Sequence, residues 1–370
     1  MKFYRITLVL CLTLAGSIGY CQQGKQWTLE EANAWNQTQP WLVGANYIPA
    51  TAINQLEMWQ AETFDTARIN VELQWAENIG MNIMRVFLHD LSYKQDPKGF
   101  VERLDTFLAI ADRHHITILI TFFDSCWDPF PKSGKQRIPK PHVHNSGWVQ
   151  SPGQDALKDS KQYERLKVYV TDVVKRFRQD KRIWGWDVWN EPDNMTGAAY
   201  EKVEIKNKVE LVTALLPRVF EWVKDQKPQQ PVTSGIWIGD WSSDDKLRPI
   251  EKIQIEYSDV ITFHNYDGEK EFEKRVLWLQ RYGRPLICTE YMARGNNSTF
   301  HGIMPVAKKY KVGVVNWGFV SGKSQTIYPW DSWEKTYTAE PPLWFHDIFR
   351  TDGNPYRQYE VDFIKGITAK

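Results

Sequence analysis

The segment Arg182–Asp193, RIWGWDVWNEPD, limits the possible folds of this chain more than any other part of the sequence. Its residues up to Trp189 are mostly β-branched or aromatic, as a strand buried on both faces requires. Pro192 ends the strand because proline has no N–H to donate to a sheet. Glu191 is therefore predicted to lie at the carboxyl end of a buried parallel strand.

A second segment, Arg284–Tyr291 or RPLICTEY, has the same design, because Pro285 opens a short apolar run that ends at Glu290. Roughly 100 residues separate Glu290 from Glu191, which leaves room for about three βα units of about 30 residues each. This spacing fits the fourth and seventh strands of an eight-stranded barrel. Those strands lie across the lumen from each other, and catalytic groups in such barrels come from the carboxyl ends of several strands.

Short apolar runs alternate with amphipathic helical segments along the rest of the chain, as in α/β folds with a parallel sheet. We therefore predict a single (β/α)8 domain, a TIM barrel, over residues 22–370. The other predicted strands are 41–47, 82–89, 116–123, 231–237, 260–264 and 312–317. Helices are predicted at 66–79, 99–114, 161–179, 201–223 and 271–282, where apolar residues recur at helical spacing.

Two long segments interrupt this alternation. Residues 125–160 exceed an ordinary βα connection, and loops of this length are usually functional or disordered. Their aromatic residues favour a wall or lid over disorder, and the segment from Ser321 onward is predicted to add a second aromatic wall. The sequence leaves open whether the first segment closes a cleft into a pocket or lengthens it. Flat aromatic faces suit pyranose rings, and the candidate sugar platforms are Trp127, Trp148, Trp237, Trp317 and Trp330.

The first 21 residues have the features of an export signal, namely Lys2 and Arg5, then an apolar run at 6–14, then small residues. We expect cleavage and a secreted, periplasmic or cell-surface protein. Cys21 leaves open a lipid anchor at the cleavage point. No later run approaches the roughly 20 apolar residues that a membrane-spanning helix needs.

Charge and cysteine content exclude other classes of protein. The 46 basic and 45 acidic residues give no electrostatic basis for binding nucleic acid or an anionic membrane. Cys126 and Cys288 fall on parts of a barrel too far apart to bridge, so free thiols are predicted. The sequence implies no cofactor, and we expect a monomer.

Two carboxyl groups that face each other across a barrel mouth suit glycoside hydrolysis. One acid protonates the leaving oxygen, while the other attacks the sugar or activates water. A separation of about 5 to 5.5 Å gives retention through a covalent intermediate, and roughly 6.5 to 9.5 Å gives inversion. The sequence does not give this distance.

The motif WNEP at Trp189–Pro192, together with TEY at Thr289–Tyr291, resembles the clan A retaining glycoside hydrolases and is most similar to family 5, which includes cellulases, mannanases and xylanases. The resemblance extends over essentially the whole chain after the predicted signal. It implies that Glu191 is the acid/base, that Glu290 is the nucleophile and that Asn190 contacts the 2-hydroxyl of the sugar. The implied reaction is double displacement on a β-linked glucan, mannan or xylan.

The same resemblance implies further residues that are predicted to contact the substrate. His264 and Tyr266 match a histidine and a tyrosine that follow the sixth strand, and the tyrosine orients the nucleophile. Arg85 matches an arginine that keeps the nucleophile ionised, and Trp317 matches a tryptophan that floors the subsite beside the scissile bond. Asn46 ends the first predicted strand and is expected near the barrel mouth.

The surroundings of the two acids predict opposite pKa shifts. Arg85 is expected to favour the charged form of Glu290. Trp186 and Trp189 flank Glu191 in the sequence and are expected to disfavour its charge. Such a difference separates a nucleophile from a general acid.

One position departs from the family pattern. Family 5 members usually carry a histidine near the end of the third strand, whereas here the run ends with Phe122, Phe123 and Asp124. Asp124, like Asp128 and Asp240, is expected either to bind sugar hydroxyls or to be solvated.

Two other functions are compatible with the sequence. A non-catalytic carbohydrate-binding barrel would bind sugar without turnover, although the presence of both acids speaks against it. A metal-dependent hydrolase would use His142 and His144, but a catalytic zinc needs a third protein ligand and none lies at helix spacing nearby. We therefore interpret both histidines as solvated loop residues and predict no metal site. The sugar, and internal or terminal cleavage, remain open at this stage.

Overall fold

Eight parallel strands form a nearly closed barrel in the computed structural model, which describes residues 25–369. Neighbouring strands pair in the order β5-β4-β3-β2-β1-β8-β7-β6, and a bridge between Ile236 and Phe263 joins the two outer strands. The predicted TIM barrel is confirmed. The strands are β1 Val43–Asn46, β2 Ile83–Phe87, β3 Thr117–Asp124, β4 Ile183–Asn190, β5 Val232–Thr233, β6 Ile261–His264, β7 Leu286–Glu290 and β8 Gly313–Asn316.

Helices cover the outside of the barrel and contribute to its two ends. The helices up to the fourth strand are α1 Leu29–Gln37, α2 Gln55–Trp59, α3 Thr66–Asn78, α4 Asp90–Gln95, α5 Pro97–Arg113, α6 Gln154–Lys158 and α7 Tyr163–Phe177. Those that follow it are α8 Gly197–Tyr200, α9 Lys208–Lys224, α10 Pro249–Tyr257, α11 Glu269–Gln280, α12 Phe300–Tyr310 and α13 Gln358–Thr368.

The fifth strand and the helix after the fourth strand are much shorter than predicted, because side chains replace regular backbone bonds. The fifth strand was predicted to run to residue 237 but ends at Thr233. Beyond it, the N–H of Ser234 donates to the Ser258 hydroxyl, and the Ser234 hydroxyl donates to the carbonyl of Trp189. The helix predicted at 201–223 begins at Lys208, whose ammonium group donates to two loop carbonyls and to the Glu204 carboxylate.

Apolar side chains pack the barrel lumen at one end only, and polar side chains lie at the other. A layer of seven buried apolar side chains fills the lumen at the amino-terminal end, and Trp35 of α1 packs against Trp184 there at 5.0 Å between ring centroids. Trp186 faces outward, where its ring stacks on Phe122 beneath the helices. Both tryptophans are core residues, as predicted, so polar groups gather at the carboxyl ends of the strands.

Several sequence predictions concern the chain as a whole. Cys126 and Cys288 are free thiols, as predicted. Among residues 25–369, no helix has the length and apolar character needed to cross a membrane. The predicted signal peptide and Cys21 lie outside the described residues.

Candidate active site

Glu191 and Glu290 meet at the carboxyl ends of β4 and β7. Glu290 is the last residue of its strand, whereas Glu191 follows its strand directly and has a φ angle of 40°. Residues other than glycine rarely adopt such a φ, and strained backbone of this kind is often found at functional sites. One oxygen of each glutamate and one nitrogen of His264 lie within 4.8 Å of one another.

The Glu191 carboxyl group has three polar neighbours. His264 Nδ1 lies 2.8 Å from Oε1, while Asn194 Nδ2 and the Cys126 thiol donate to Oε2 at 2.7 and 3.3 Å. Burial raises the pKa of Glu191 to about 7, against the opposing effects of Asn194 and Cys126. The predicted direction is confirmed, but its cause is the burial of the whole site.

The Glu290 carboxylate is held by two donors. Arg85 Nη1 donates to Oε1 at 2.9 Å, and the Tyr266 hydroxyl donates to Oε2 at 2.7 Å. Burial raises the pKa of Glu290, while Arg85 and Tyr266 oppose this shift. Arg85 favours the charged form of Glu290, as predicted, but the predicted opposite pKa shifts are wrong, because burial raises the pKa of both acids.

Arg85 binds four side chains at once and is fully buried. Besides Glu290, it donates to Asp187 Oδ2 at 2.7 and 2.9 Å, to Asn46 Oδ1 at 2.9 Å and to Asn190 Oδ1 at 2.7 Å. Arg85 was predicted to contact substrate, but its guanidinium lies behind the carboxylate. Asn46 likewise supports Arg85 and is only 5% exposed.

Asp187 was missed by the sequence analysis. It lies in the middle of β4 and is completely buried. The sequence did contain a sign of its role, because Asp187 is a carboxylate within an otherwise apolar strand. A buried charge of this kind requires a partner of opposite charge. That partner is Arg85, and the salt bridge between them fixes the guanidinium plane from which the other contacts follow.

Asp124 occupies the end of β3, where the family pattern has a histidine. Its Oδ1 accepts from Asn190 Nδ2 at 3.0 Å, and its Oδ2 accepts from Trp148 Nε1 at 2.6 Å. Asp124 is 1% exposed, so it is not solvated, and it orients the amide of Asn190 together with Arg85. Trp148 was predicted to be a sugar platform, but it is 3% exposed and acts here as a buried donor.

A cavity of about 290 Å³ opens above the two glutamates. Of the predicted sugar platforms, Trp127, Trp237, Trp317 and Trp330 all line it, as does Tyr266. Asn190 is also part of the lining, whereas His264 touches Glu191 from below. The cavity therefore combines a carboxyl pair with several aromatic faces, which is suited to holding a sugar ring.

The two loop histidines do not form a metal site. His144 is buried, its Nδ1 lies 2.9 Å from the carbonyl oxygen of Tyr328, and burial lowers its pKa to about 4. The prediction that it is solvated is wrong. His142 Nδ1 lies 2.5 Å from the Tyr328 hydroxyl. Both histidines thus bind the segment after β8.

Within residues 25–369, the acidic, histidine and cysteine ligand atoms converge in one place, at Glu191, His264 and Glu290. The Arg85 guanidinium already places a positive charge 2.9 Å from Glu290. The remaining acids that were considered as hydroxyl ligands are paired on the surface, Asp128 with Arg137 and Asp240 with Lys246.

A family model and several solved structures match this chain. The family model for cellulase, glycosyl hydrolase family 5, matches residues 50–323. No curated protein matches the chain at a significant level.

Solved structures of low sequence identity share the fold. A subfamily 18 member of this family from Streptomyces cattleya, in complex with Manβ1-4GlcNAc, has a TM-score of 0.59 at 13% identity, over 88% of this chain and 80% of that one. The endo-β-1,4-mannanase from Thermotoga petrophila has a TM-score of 0.56 at 15% identity, over 90% and 77%. An exo-β-1,4-mannosidase from Opitutaceae bacterium strain TAV5 has a TM-score of 0.56 at 19% identity, over 88% and 59%.

Proposed function

The chain belongs to glycosyl hydrolase family 5 and is a glycoside hydrolase, and on this premise we propose that it cleaves β-linked saccharides with retention of configuration. In this proposal Glu290 is the nucleophile and Glu191 is the acid/base. The observation that carries the proposal is the distance between the two carboxyl groups, one oxygen of each lying within 4.8 Å of the other. So close an approach of two carboxylate oxygens favours the roughly 5 to 5.5 Å separation of retaining enzymes over the roughly 6.5 to 9.5 Å of inverting ones.

The first chemical step follows from the surroundings of the two acids. Arg85 and Tyr266 each hold one oxygen of Glu290 and thereby aim the carboxylate at the anomeric carbon. Because the pKa of Glu191 is raised to about 7, about half of the molecules carry a proton on Glu191 at neutral pH, and this proton is donated to the departing oxygen. A covalent bond between Glu290 and the sugar replaces the glycosidic bond.

The second step reverses these roles. Glu191, now ionised, takes a proton from water, which attacks the anomeric carbon and releases Glu290. Asn190 is held by Arg85 and Asp124 and borders the cavity. We assign it the hydroxyl next to the anomeric carbon, where a hydrogen bond that strengthens in the transition state accelerates both steps.

The aromatic lining supports a pyranoside substrate, with Trp317 beneath the transferred sugar and Trp127 and Trp237 beside it. β-Glucosides, β-mannosides and β-xylosides all remain candidates. β-Mannosides are the first to test, because the solved structures of similar fold are named for β-mannan or β-mannoside. We further propose that residues 1–21 direct export, with Cys21 as a possible site of lipidation, and that the mature enzyme acts as a monomer.

The proposal is tested by assaying aryl β-glycosides and the matching polysaccharides with wild type, Glu290→Gln and Glu256→Gln. Glu256 is an exposed residue of α10, so its variant controls for the loss of one carboxylate. We expect Glu290→Gln to lose at least about 1,000-fold in kcat, as removal of a nucleophile does. Full activity of Glu290→Gln would refute the assignment, and sugar binding without turnover by wild type would favour a binding protein.

Retention is tested separately by NMR of the first sugar released. The β anomer should appear before mutarotation mixes the two forms, whereas initial release of the α anomer would contradict the mechanism. For Glu191→Ala on an activated aryl glycoside, azide should restore turnover and yield the β-glycosyl azide, because azide needs no general base.

A further inference from the structure

Two loop segments that flank β1 and β2 meet above these strands. One segment follows β3 and the other follows β8, and these strands are separated in the ring by β2 and β1. Trp148 of the first segment and Trp317 of the second both contact Phe87, the last residue of β2, at 5.4 and 5.7 Å between ring centroids. The mouth of the barrel is therefore covered on this side.

Trp333 is the centre of this cover. Its ring stacks on Trp127 at 5.2 Å and 11°, and the Lys140 ammonium group lies 4.7 Å from its ring centroid. Its Nε1 donates to the carbonyl of His144 at 2.9 Å, and the ring of Tyr200 packs on its edge. We call the covering residues, 127–145 and 324–333, the roof.

Backbone hydrogen bonds fasten the two halves of the roof. The N–H of His144 donates to the Ser332 hydroxyl at 2.9 Å, and the N–H of Asn145 donates to the carbonyl of Ser324 at 3.0 Å. His144 and Asn145 are buried. Buried backbone bonds are costly to break, so the roof is a fixed wall.

The positions of the two acids show which end of the substrate meets the roof. The groups that support Glu290 include Arg85 of β2 and, through it, Asn46 of β1. The partners of Glu191 are His264 of β6, Asn194, which follows β4, and the thiol of Cys126, which follows β3. In the proposed function the transferred sugar stays with the nucleophile and rests on Trp317. Because the Trp317 ring packs against Phe87 and Trp148 on the covered side of the barrel mouth, the roof closes the end that holds the transferred sugar.

The space beyond the transferred sugar is too small for a second one. Past Trp317 and Asn145, the next void measures about 20 Å³ and is bounded by Phe87 and Trp148. A void of this size holds about one water molecule, not a pyranose ring. The opposite side of the main cavity is bordered by Asn194, Thr196 and Trp237, which are all partly exposed.

We infer that this enzyme removes one sugar at a time from the non-reducing end of its substrate. The inference rests on the proposed function and specifies where along a chain that function acts. The single terminal sugar lies under the roof, and the rest of the saccharide extends past Trp237 and Asn194 into solvent.

The test uses a β-1,4-linked tetrasaccharide that carries a fluorescent label at its reducing end, made from whichever sugar wild type hydrolyses as an aryl glycoside. We expect the labelled trisaccharide and free monosaccharide to appear first, followed by the labelled disaccharide. Early release of an unlabelled disaccharide, or of the labelled monosaccharide, would overturn the inference while leaving the hydrolase assignment intact. Failure to cleave any saccharide or aryl glycoside would instead refute the proposed function.

A blocked substrate and a roof variant sharpen the test. The same tetrasaccharide with a bulky ether on its terminal 4-hydroxyl should react at least about 100-fold more slowly with wild type, because the wall excludes it. Trp333→Ala should recover at least part of this loss, whereas Trp278→Ala should not, since Trp278 lies under Lys274 on the outer helix α11. Equal wild-type rates on blocked and unblocked substrates would overturn the inference whether or not Trp333→Ala folds.

Discussion

The floor and the roof of the cavity are built by different physical means. The floor, formed by Arg85, Asp187, Asn190 and Glu290, consists of charged and polar groups on strands whose hydrogen bonds leave little freedom. The roof consists of aromatic rings and backbone bonds between two loop segments. Floor residues therefore control whether the chemistry proceeds, whereas roof residues control which saccharide reaches it.

The largest expected effect comes from removing the cation of the floor. Arg85→Met removes the cation that Asp187 and Glu290 share, leaving Glu290 with the Tyr266 hydroxyl as a neutral donor. Loss of one partner of a buried ion pair typically costs about 3 to 5 kcal/mol, so the free energy of unfolding in urea should fall by about that amount. The kcat should fall as well, because Glu290 loses a donor that holds it ionised.

The matched control is Arg284→Met, which removes a half-buried arginine that donates only to the carbonyls of Asp259 and Trp27. It should affect stability and leave kcat unchanged. If Arg85→Met retains both wild-type stability and wild-type kcat, the charge of Arg85 does not hold the floor residues together.

The second effect is the pH dependence of kcat/KM. Glu191 must be protonated to act as an acid, and its pKa is raised to about 7. Activity should therefore be lost as the pH rises through about 7. On the acid side, Glu290 must be ionised, so activity falls as the pH drops through its raised pKa. Glu191→Gln should abolish the alkaline limb on an activated aryl glycoside, and an unchanged limb would assign it to another group.

The floor was largely predictable from the sequence, and the roof was not. Glu191 and Glu290 each stand at the end of an apolar segment, which predicts a position at the end of a buried strand. Arg85 is a charged residue within an apolar segment, which predicts a buried charge. Strand pairing then brings these residues together without further information. The role of Asp187 was not predicted, because it depends on Arg85, which lies about 100 residues away in the sequence. No pattern within a single strand identifies the partner of a buried charge.

The roof depends on contacts between segments that share no local pattern. His144 and Trp333 meet only after the barrel has placed β3 and β8 near each other. The sequence identified both segments as aromatic walls, but it could not show that they join. The same limitation made His144 look solvated and Trp148 look like a sugar platform, since burial by a distant segment leaves no mark on local composition.

A smaller effect is expected from weakening the roof. Trp127→Ala removes the ring that stacks on Trp333 and lines the cavity. Stacked aromatic pairs contribute about 0.5 to 1.5 kcal/mol beyond their buried area, so kcat/KM on an aryl monoglycoside should fall by about tenfold at most. The pH profile should remain that of wild type. A shifted profile would show that the roof also affects the pKa of Glu191 or Glu290, so that roof and floor would not have separate roles.

The smallest expected effect lies at the boundary between the two regions. The Cys126 thiol donates to Glu191 Oε2 at 3.3 Å and helps to lower the pKa that burial raises. Cys126→Ser supplies a stronger donor, which favours the carboxylate and should move the alkaline limb of kcat/KM to lower pH by less than about one unit. Cys126→Ala removes the donor and should move the limb to higher pH. The two variants are predicted to shift the alkaline limb in opposite directions. A nonspecific structural change in the site would shift both in the same direction and so cannot account for this result. Shifts in the same direction would mean that the thiol acts by packing, like the roof, whereas opposite shifts would make it part of the chemistry, like the floor.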